Sequence, residues 1–320
     1  MPTRTRSLAL LVAALALAVP ALAACSGPDG TKGAAAVTTT TAADRSSDDE
    51  DNEVNTLHID MQDEHFAIAG NLKAGTTTIG LRNSGSEVHM AAFFRLKPGK
   101  TVSDAAAAFT SGDSAAVDAV VDGKVDAPGG VLSPGQSEEV TTDFLAAGSY
   151  VVACFVPTAG EAQPVPHVAK GMIAGFEVAP GNVTATAPRS DAVYTVSDGH
   201  VDGPTSLKEG RLTLRFNSRG KSPHQFFVIK KRTPATTYED VDAFFSGLFQ
   251  GTAAPPKGYT EAAPGVLTAS TFDVAAGDAV FVTAQLTPGE YLIGCARRPD
   301  DSEGPSAKPH TGELLTVTVT

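Results

Sequence analysis

Tryptophan is absent from this 320-residue chain, and cysteine occurs only three times. Three cysteines cannot build a disulfide-dense scaffold. Basic residues are also few, 24 against 36 acidic ones, and the formal charge is −12. No run of five or more Lys/Arg occurs, so no nucleic-acid partner is expected. Also missing are a Gly-x-Ser-x-Gly elbow, a His-Glu-x-x-His helix and a phosphate-cradling glycine loop. What remains is 42% hydrophobic residues with 31 Gly, 21 Pro and 15 Phe. That is enough apolar material for real cores and excludes a fully disordered chain. The Gly, Pro, Thr and Val content favours many short strands and turns, and the length suits two domains.

Long apolar runs are confined to one place. Arg4 and Arg6 precede Leu8 to Val19, followed by Leu22-Ala23-Ala24-Cys25. A charged start, a short apolar run and small residues at the cleavage point make a secretory signal over residues 1–24. The run is shorter than the roughly 20 residues a membrane-spanning helix needs. Its end resembles the bacterial lipobox, which implies lipidation of Cys25. Residues 25–55 carry Thr38 to Thr41 and the acidic run Asp48 to Asp51, with little to bury, and read as a solvated tether. The expected location is therefore the extracytoplasmic face of the cell membrane, held by lipid.

The rest of the chain is one unit written twice. His65 and His200, Leu72 and Leu207, Gly75 and Gly210, and His89 and His224 all keep an offset of 135. Asn83-Ser84 before His89 resembles Asn217-Ser218 before His224. Gly148-Ser-Tyr-Val-Val-Ala-Cys154 matches Gly289-Glu-Tyr-Leu-Ile-Gly-Cys295, and Pro166-His167 matches Pro309-His310. Two domains are expected, residues 56–180 and 190–320. Each is all-β, a Greek-key sandwich of seven or eight strands with a short helical insertion. In the second, Val241, Phe244, Phe245, Leu248 and Phe249 mark one helical face capped by Thr237. In the first, the equivalent follows Ser103 through Ala105, Ala108 and Phe109.

Strand alternation puts Tyr150, Val152 and Cys154 on one face, and Tyr291, Ile293 and Cys295 likewise. His89 and His224 each open a strand, and His167 precedes Met172 in a loop beyond Cys154. A thiolate, two imidazoles and a weak thioether are the ligand set of a blue-copper centre. These pieces resemble the cupredoxin family over nearly all of both units. The resemblance implies an eight-stranded Greek-key sandwich with metal at one end. It also implies ligands His89, Cys154, His167 and Met172 in unit one, and His224, Cys295 and His310 in unit two, where Leu315 stands non-ligating at the axial position. Two departures are visible. Twelve residues separate Cys154 from His167 and fourteen separate Cys295 from His310, and unit two has no axial methionine. Copper, another metal, a metal-free sandwich and a Cys154–Cys295 disulfide all remain open here.

The functional expectation is a lipid-anchored, copper-binding electron carrier or copper-handling factor, with a redox or copper-delivery protein as partner. The alternative is a metal-free tandem sandwich that binds within the cell envelope. Seven histidines are present, none in a His-x-His pair, and three of them (His58, His65 and His200) lie outside the proposed sites. On that ground the chain is expected not to be an enzyme.

Overall fold

Period-two burial runs through the strands as the sequence requires. Leu57, Ile59 and Met61 turn inward while His58 faces out, and Ala192, Tyr194 and Val196 repeat the pattern. The structure is a computed structural model that describes residues 55–124, 128–158, 165–241, 243, 263–295 and 314–320. The signal, the tether with Cys25, the helical face from Phe244 to Phe249, and His310 lie outside the described residues.

Unit one begins with β1 (Thr56–Gln62), β2 (His65–Gly70) and β3 (Leu72–Asn83), then β4 (His89–Met90) and β5 (Ala92–Leu96). Two helices follow, α1 (Val102–Thr110) and α2 (Ser114–Val120). Next come β6 (Val121–Lys124), β7 (Val131–Leu132), β8 (Ser137–Leu145), β9 (Gly148–Ala153) and β10 (Ile173–Val183). Unit two runs β11 (Ala192–Ser197), β12 (His200–Asp202), β13 (Ser206–Leu207), β14 (Gly210–Ser218) and β15 (His224–Lys231). It ends with β16 (Gly265–Val274), β17 (Ala279–Leu286), β18 (Gly289–Cys295) and β19 (Leu314–Val319).

Pairing shows the duplication more clearly than the letters do. In unit one β2, β1, β3 and β8 lie side by side, with β1 parallel to β3. In unit two β12, β11, β14 and β17 do the same, with β11 parallel to β14. The first residues of β3 cross to the opposite layer, where Leu72 pairs with Val178 of β10. The separate strand β13 makes the same crossing, with Leu207 opposite Val319. The second layers are β10–β9–β5–β6 and β19–β18–β15–β16. Both units are thus all-β, cupredoxin-like Greek-key sandwiches.

Both faces of the second layer in unit one are covered. Tyr150, Phe93 and Phe176 meet inside, with ring centroids 5.4 and 5.5 Å apart. On the outer face Phe94, Phe109 of α1 and Phe155 form a second aromatic group, with centroids 4.8 to 5.8 Å apart. The helical insertion is therefore core packing over the strand that leads to Cys154. Tyr150 and Tyr291 each donate to a carbonyl four residues back, Ala146 and Thr287, so each strand entering the site is pinned at its start.

Candidate metal centre

Three segments converge at one end of unit one. His89 sits at the start of β4, after a loop braced from two sides. Asn83 at the end of β3 donates through Nδ2 to the Glu87 and Leu132 carbonyls, both at 2.8 Å. Its Oδ1 accepts the Gly85 amide at 3.0 Å. Asp63, in the β1–β2 turn, accepts from the Ser86 amide at 2.8 Å and the Ser86 hydroxyl at 2.7 Å. Buried polar loops hold only when their groups are paired, and this one is.

Cys154 follows β9 and is fixed by its own backbone. Its amide donates to the Met172 carbonyl at 3.1 Å, and its carbonyl accepts from Val168 at 2.7 Å. The long loop to His167 closes on itself. Thr158 N–H donates to Val165 O at 3.0 Å, His167 N–H donates to Val156 O at 2.9 Å, and Pro157 bridges Pro166. The two ends of the loop, Val156–Thr158 and Val165–His167, are thus held together, which places His167 beside Cys154 as a short loop would. A 3₁₀ turn over His167–Lys170 ends at Gly171, whose φ of 104° is left-handed. That reversal carries Met172 back under the turn, its amide donating to the His167 carbonyl at 2.9 Å.

The result is a triangle of donor atoms. His89 Nδ1 and His167 Nδ1 lie 3.1 Å apart, and Cys154 Sγ is 3.9 and 3.4 Å from them. A circle through these three atoms has a radius of about 2 Å, close to the ~2.0–2.3 Å of bonds from metal to imidazole and thiolate. All three residues are buried, and among the described residues they form the one group of three metal-ligating side chains this close together. The Met90 amide donates to Cys154 Sγ at 3.3 Å. Both outward nitrogens meet carboxylates, His89 Nε2 with Asp63 Oδ1 at 3.0 Å and His167 Nε2 with Glu87 Oε2 at 3.2 Å.

The electrostatics follow from that geometry. Burial alone would push the Cys154 thiol up, but hydrogen bonds and charge from His167 and His89 outweigh it and hold the group at about 7. Burial would lower His167, yet Cys154 and Glu87 together raise it to about 9. Burial would likewise raise Asp63; its hydrogen bonds with Ser86 and His89 win and lower it to about 2. A thiolate and two imidazoles in one trigonal plane fit copper, with Met172, fully buried in the same core, as the adjoining thioether residue.

In unit two the structure brings His224 and Cys295 to the matching end, both fully buried. Their surroundings differ. His224 Nε2 donates to the Arg219 carbonyl at 2.8 Å. Leu315 stands opposite Ile293 inside β18–β19, while Leu314 faces Gly294 as Ile173 faces Ala153. By this register the position equivalent to Met172 is 313, outside the described residues, and Leu315 is a strand residue packed against the core of unit two. Cys154 and Cys295 are not joined in a disulfide. His65 and His200 are exposed, as is His58. Asp63 and Glu87 were missed as site residues. The repeated Asp-x-His at 63–65 and 198–200 was a usable signal, but in unit one it is the aspartate, not the histidine, that reaches the centre.

No family model and no curated protein matches this chain. Solved structures do. One is a reduced auracyanin from the photosynthetic bacterium Roseiflexus castenholzii, at 21% identity over 40% of this chain and 100% of its own, with a TM-score of 0.26. A multicopper oxidase matches at 15% identity over 83% of this chain and 88% of its own, with a TM-score of 0.21. A copper nitrite reductase from Nitrosomonas europaea matches at 15% over 83% and 93%, with a TM-score of 0.23. At these identities the likeness concerns the fold alone. One expectation is corrected here: the chain was expected not to be an enzyme, whereas the structures it resembles include two kinds of enzyme.

Proposed function

We propose that this chain is a copper-binding redox protein of the cell envelope, carrying electrons or handling copper through the centre in unit one. His89 Nδ1, His167 Nδ1 and Cys154 Sγ would hold the metal, with Met172 adjoining. The observation that carries the reading is the donor triangle itself, buried and of a size that fits one ion. When bound, copper supplies a one-electron couple. The protein's part is to keep the ligands still. Asn83 and Asp63 lock the loop of His89, the bonds of Thr158 to Val165 and of His167 to Val156 lock His167, and Met90 N–H steadies the thiolate charge. A site braced in this way has little to rearrange when the charge changes.

Copper titration of the full chain tests the reading. Intense visible absorption from thiolate-to-copper charge transfer is expected, and Cys154→Ser should abolish the unit-one share while leaving the sandwich folded. A colourless chain that retains no copper would favour a metal-free binding module. The lipobox at Cys25 supports attachment to the extracytoplasmic membrane face, where a redox or copper-delivery protein would be the partner. On this reading Cys25→Ala releases the chain from membranes or blocks its maturation, and unchanged membrane retention would refute the anchor.

A further inference from the structure

The two imidazoles of unit one are both backed by carboxylates, and at the matching position of unit two His224 Nε2 has a backbone carbonyl in that place. Met61 pairs with Asn83 as Val196 pairs with Ser218, so positions 135 apart correspond in this part of the units. On that frame Glu87 corresponds to Ser222, which carries no charge. Asp63 corresponds to Asp198, which accepts the Lys221 amide at 3.0 Å as Asp63 accepts that of Ser86, and the Ser222 amide at 3.3 Å besides. His224 Nε2 meets a neutral carbonyl where His89 Nε2 meets a carboxylate.

We infer that Glu87 and Asp63 are positioning residues that turn both imidazoles of unit one Nδ1-inward and place negative charge behind them, which makes this centre favour the divalent over the monovalent ion. The inference rests on the copper reading above and deepens it. An ionised carboxylate only accepts hydrogen bonds, so each Nε2 carries a proton, and once a metal displaces any proton on Nδ1 each Nδ1 offers its lone pair inward. A negative charge behind a ligand stabilises a divalent ion more than a monovalent one, because the attraction scales with the charge on the metal. Glu87 should have the greater effect. It is 22% exposed against 48% for Asp63, so water screens it less. Asp63 also holds Ser86, which makes its removal a test of the loop as well as of charge.

The experiment uses the full chain, with Cys154→Ser as the blank for any copper in unit two. Glu87→Gln keeps an acceptor for Nε2 and removes the charge, whereas Glu87→Leu removes both. For Glu87→Gln, copper(II) affinity should fall about tenfold and copper(I) affinity much less. A tenfold change in that ratio raises the potential by about 59 mV. Glu87→Leu should add loss of the slowly exchanging His167 Nε2–H in nitrogen-resolved NMR of the copper(I) form. Circular dichroism checks that both variants fold. An unchanged affinity ratio in both variants, with the parent chain coloured, overturns this inference alone. A parent chain that takes up no copper overturns it together with the proposed function.

Discussion

Asn83 and Ser218 occupy the same place in the two units and carry different loads. Asn83 is fully buried and satisfies two carbonyls and one amide with its single side chain. Removing it strands those carbonyls, and a buried group left without a partner costs about 1–3 kcal/mol. Asn83→Ala should therefore destabilise the metal-free chain by about 2–4 kcal/mol, seen as a lower denaturant midpoint. It should also weaken copper uptake, since Glu87 and His89 ride on the loop it ties. Ser218 is equally buried, yet its Oγ has no hydrogen-bond partner among the described residues. Ser218→Ala should change stability by less than about 1 kcal/mol, or raise it, because only an unpaired hydroxyl is lost. Comparable losses for the two substitutions would show that the bracing of unit one has been misjudged.

Helix α1 shows what a short element owes to its first turn. Thr101 Oγ1 accepts from the Asp104 amide at 3.2 Å while Asp104 accepts from the Thr101 amide at 2.8 Å, a reciprocal capping box. Thr237 and Asp240 repeat it at 2.9 and 3.2 Å. Thr101→Ala should cost about 1 kcal/mol and fray α1 from the Phe94–Phe109–Phe155 group. Thermal melts and the exchange rates of α1 amides would register it; no change in either would remove the cap from the account. The strands were legible because alternation and the repeat fix them locally, as with Tyr150, Val152 and Cys154. Other features depend on partners distant in the chain. Helix α1 starts at Val102 with Thr101 as its cap, ahead of the expected Ser103, because Asp104 completes the box from there, and the seven-residue α2 has too little periodicity to announce itself. Matching Asn-Ser with Asn-Ser puts the second copy one residue out of register. In a strand that slip reverses the face, so Asn217 bonds Thr195 and Arg215 while Ser218 takes the inner place. The closure of the long loop at Pro157 and Pro166 and the reach of Asp63 to His89 have no local signature at all.

Across the whole molecule the two units share one sheet. Strands β8 and β17 pair antiparallel with Val140 opposite Val282, Thr141 opposite Phe281 and Glu139 opposite Thr283. Val140 faces Ile79 as Val282 faces Leu214, so the central pair consists of equivalent residues and the join has local two-fold symmetry. Beside it Ser133 and Gly129 of unit one bond Leu267 and Phe272 of unit two. The symmetry breaks at Glu138, whose counterpart is Val280. Glu138 is buried in the join, with Oε2 accepting the Ser270 amide at 2.8 Å and Oε1 without a partner among the described residues. Burial pushes this carboxyl well above the ordinary glutamate range, and the bond from Ser270 offsets only part of that. The folded chain therefore holds the proton more tightly than the unfolded chain. Below the ordinary glutamate value both forms are protonated and nothing is lost. As the pH rises from there toward the folded value, stability falls, by about 1.4 kcal/mol for each pH unit crossed. Glu138→Gln keeps an acceptor for Ser270 and cannot ionise. Its advantage over the parent should be near zero in acid and grow toward neutral pH, as measured by denaturant unfolding of the metal-free chains across that range. Glu138→Val, which copies unit two, would strand the Ser270 amide and serves as the contrast. A Gln variant whose advantage stays flat with pH, or shrinks, would mean that Glu138 ionises in the folded join and that the two units are held together without a buried neutral acid.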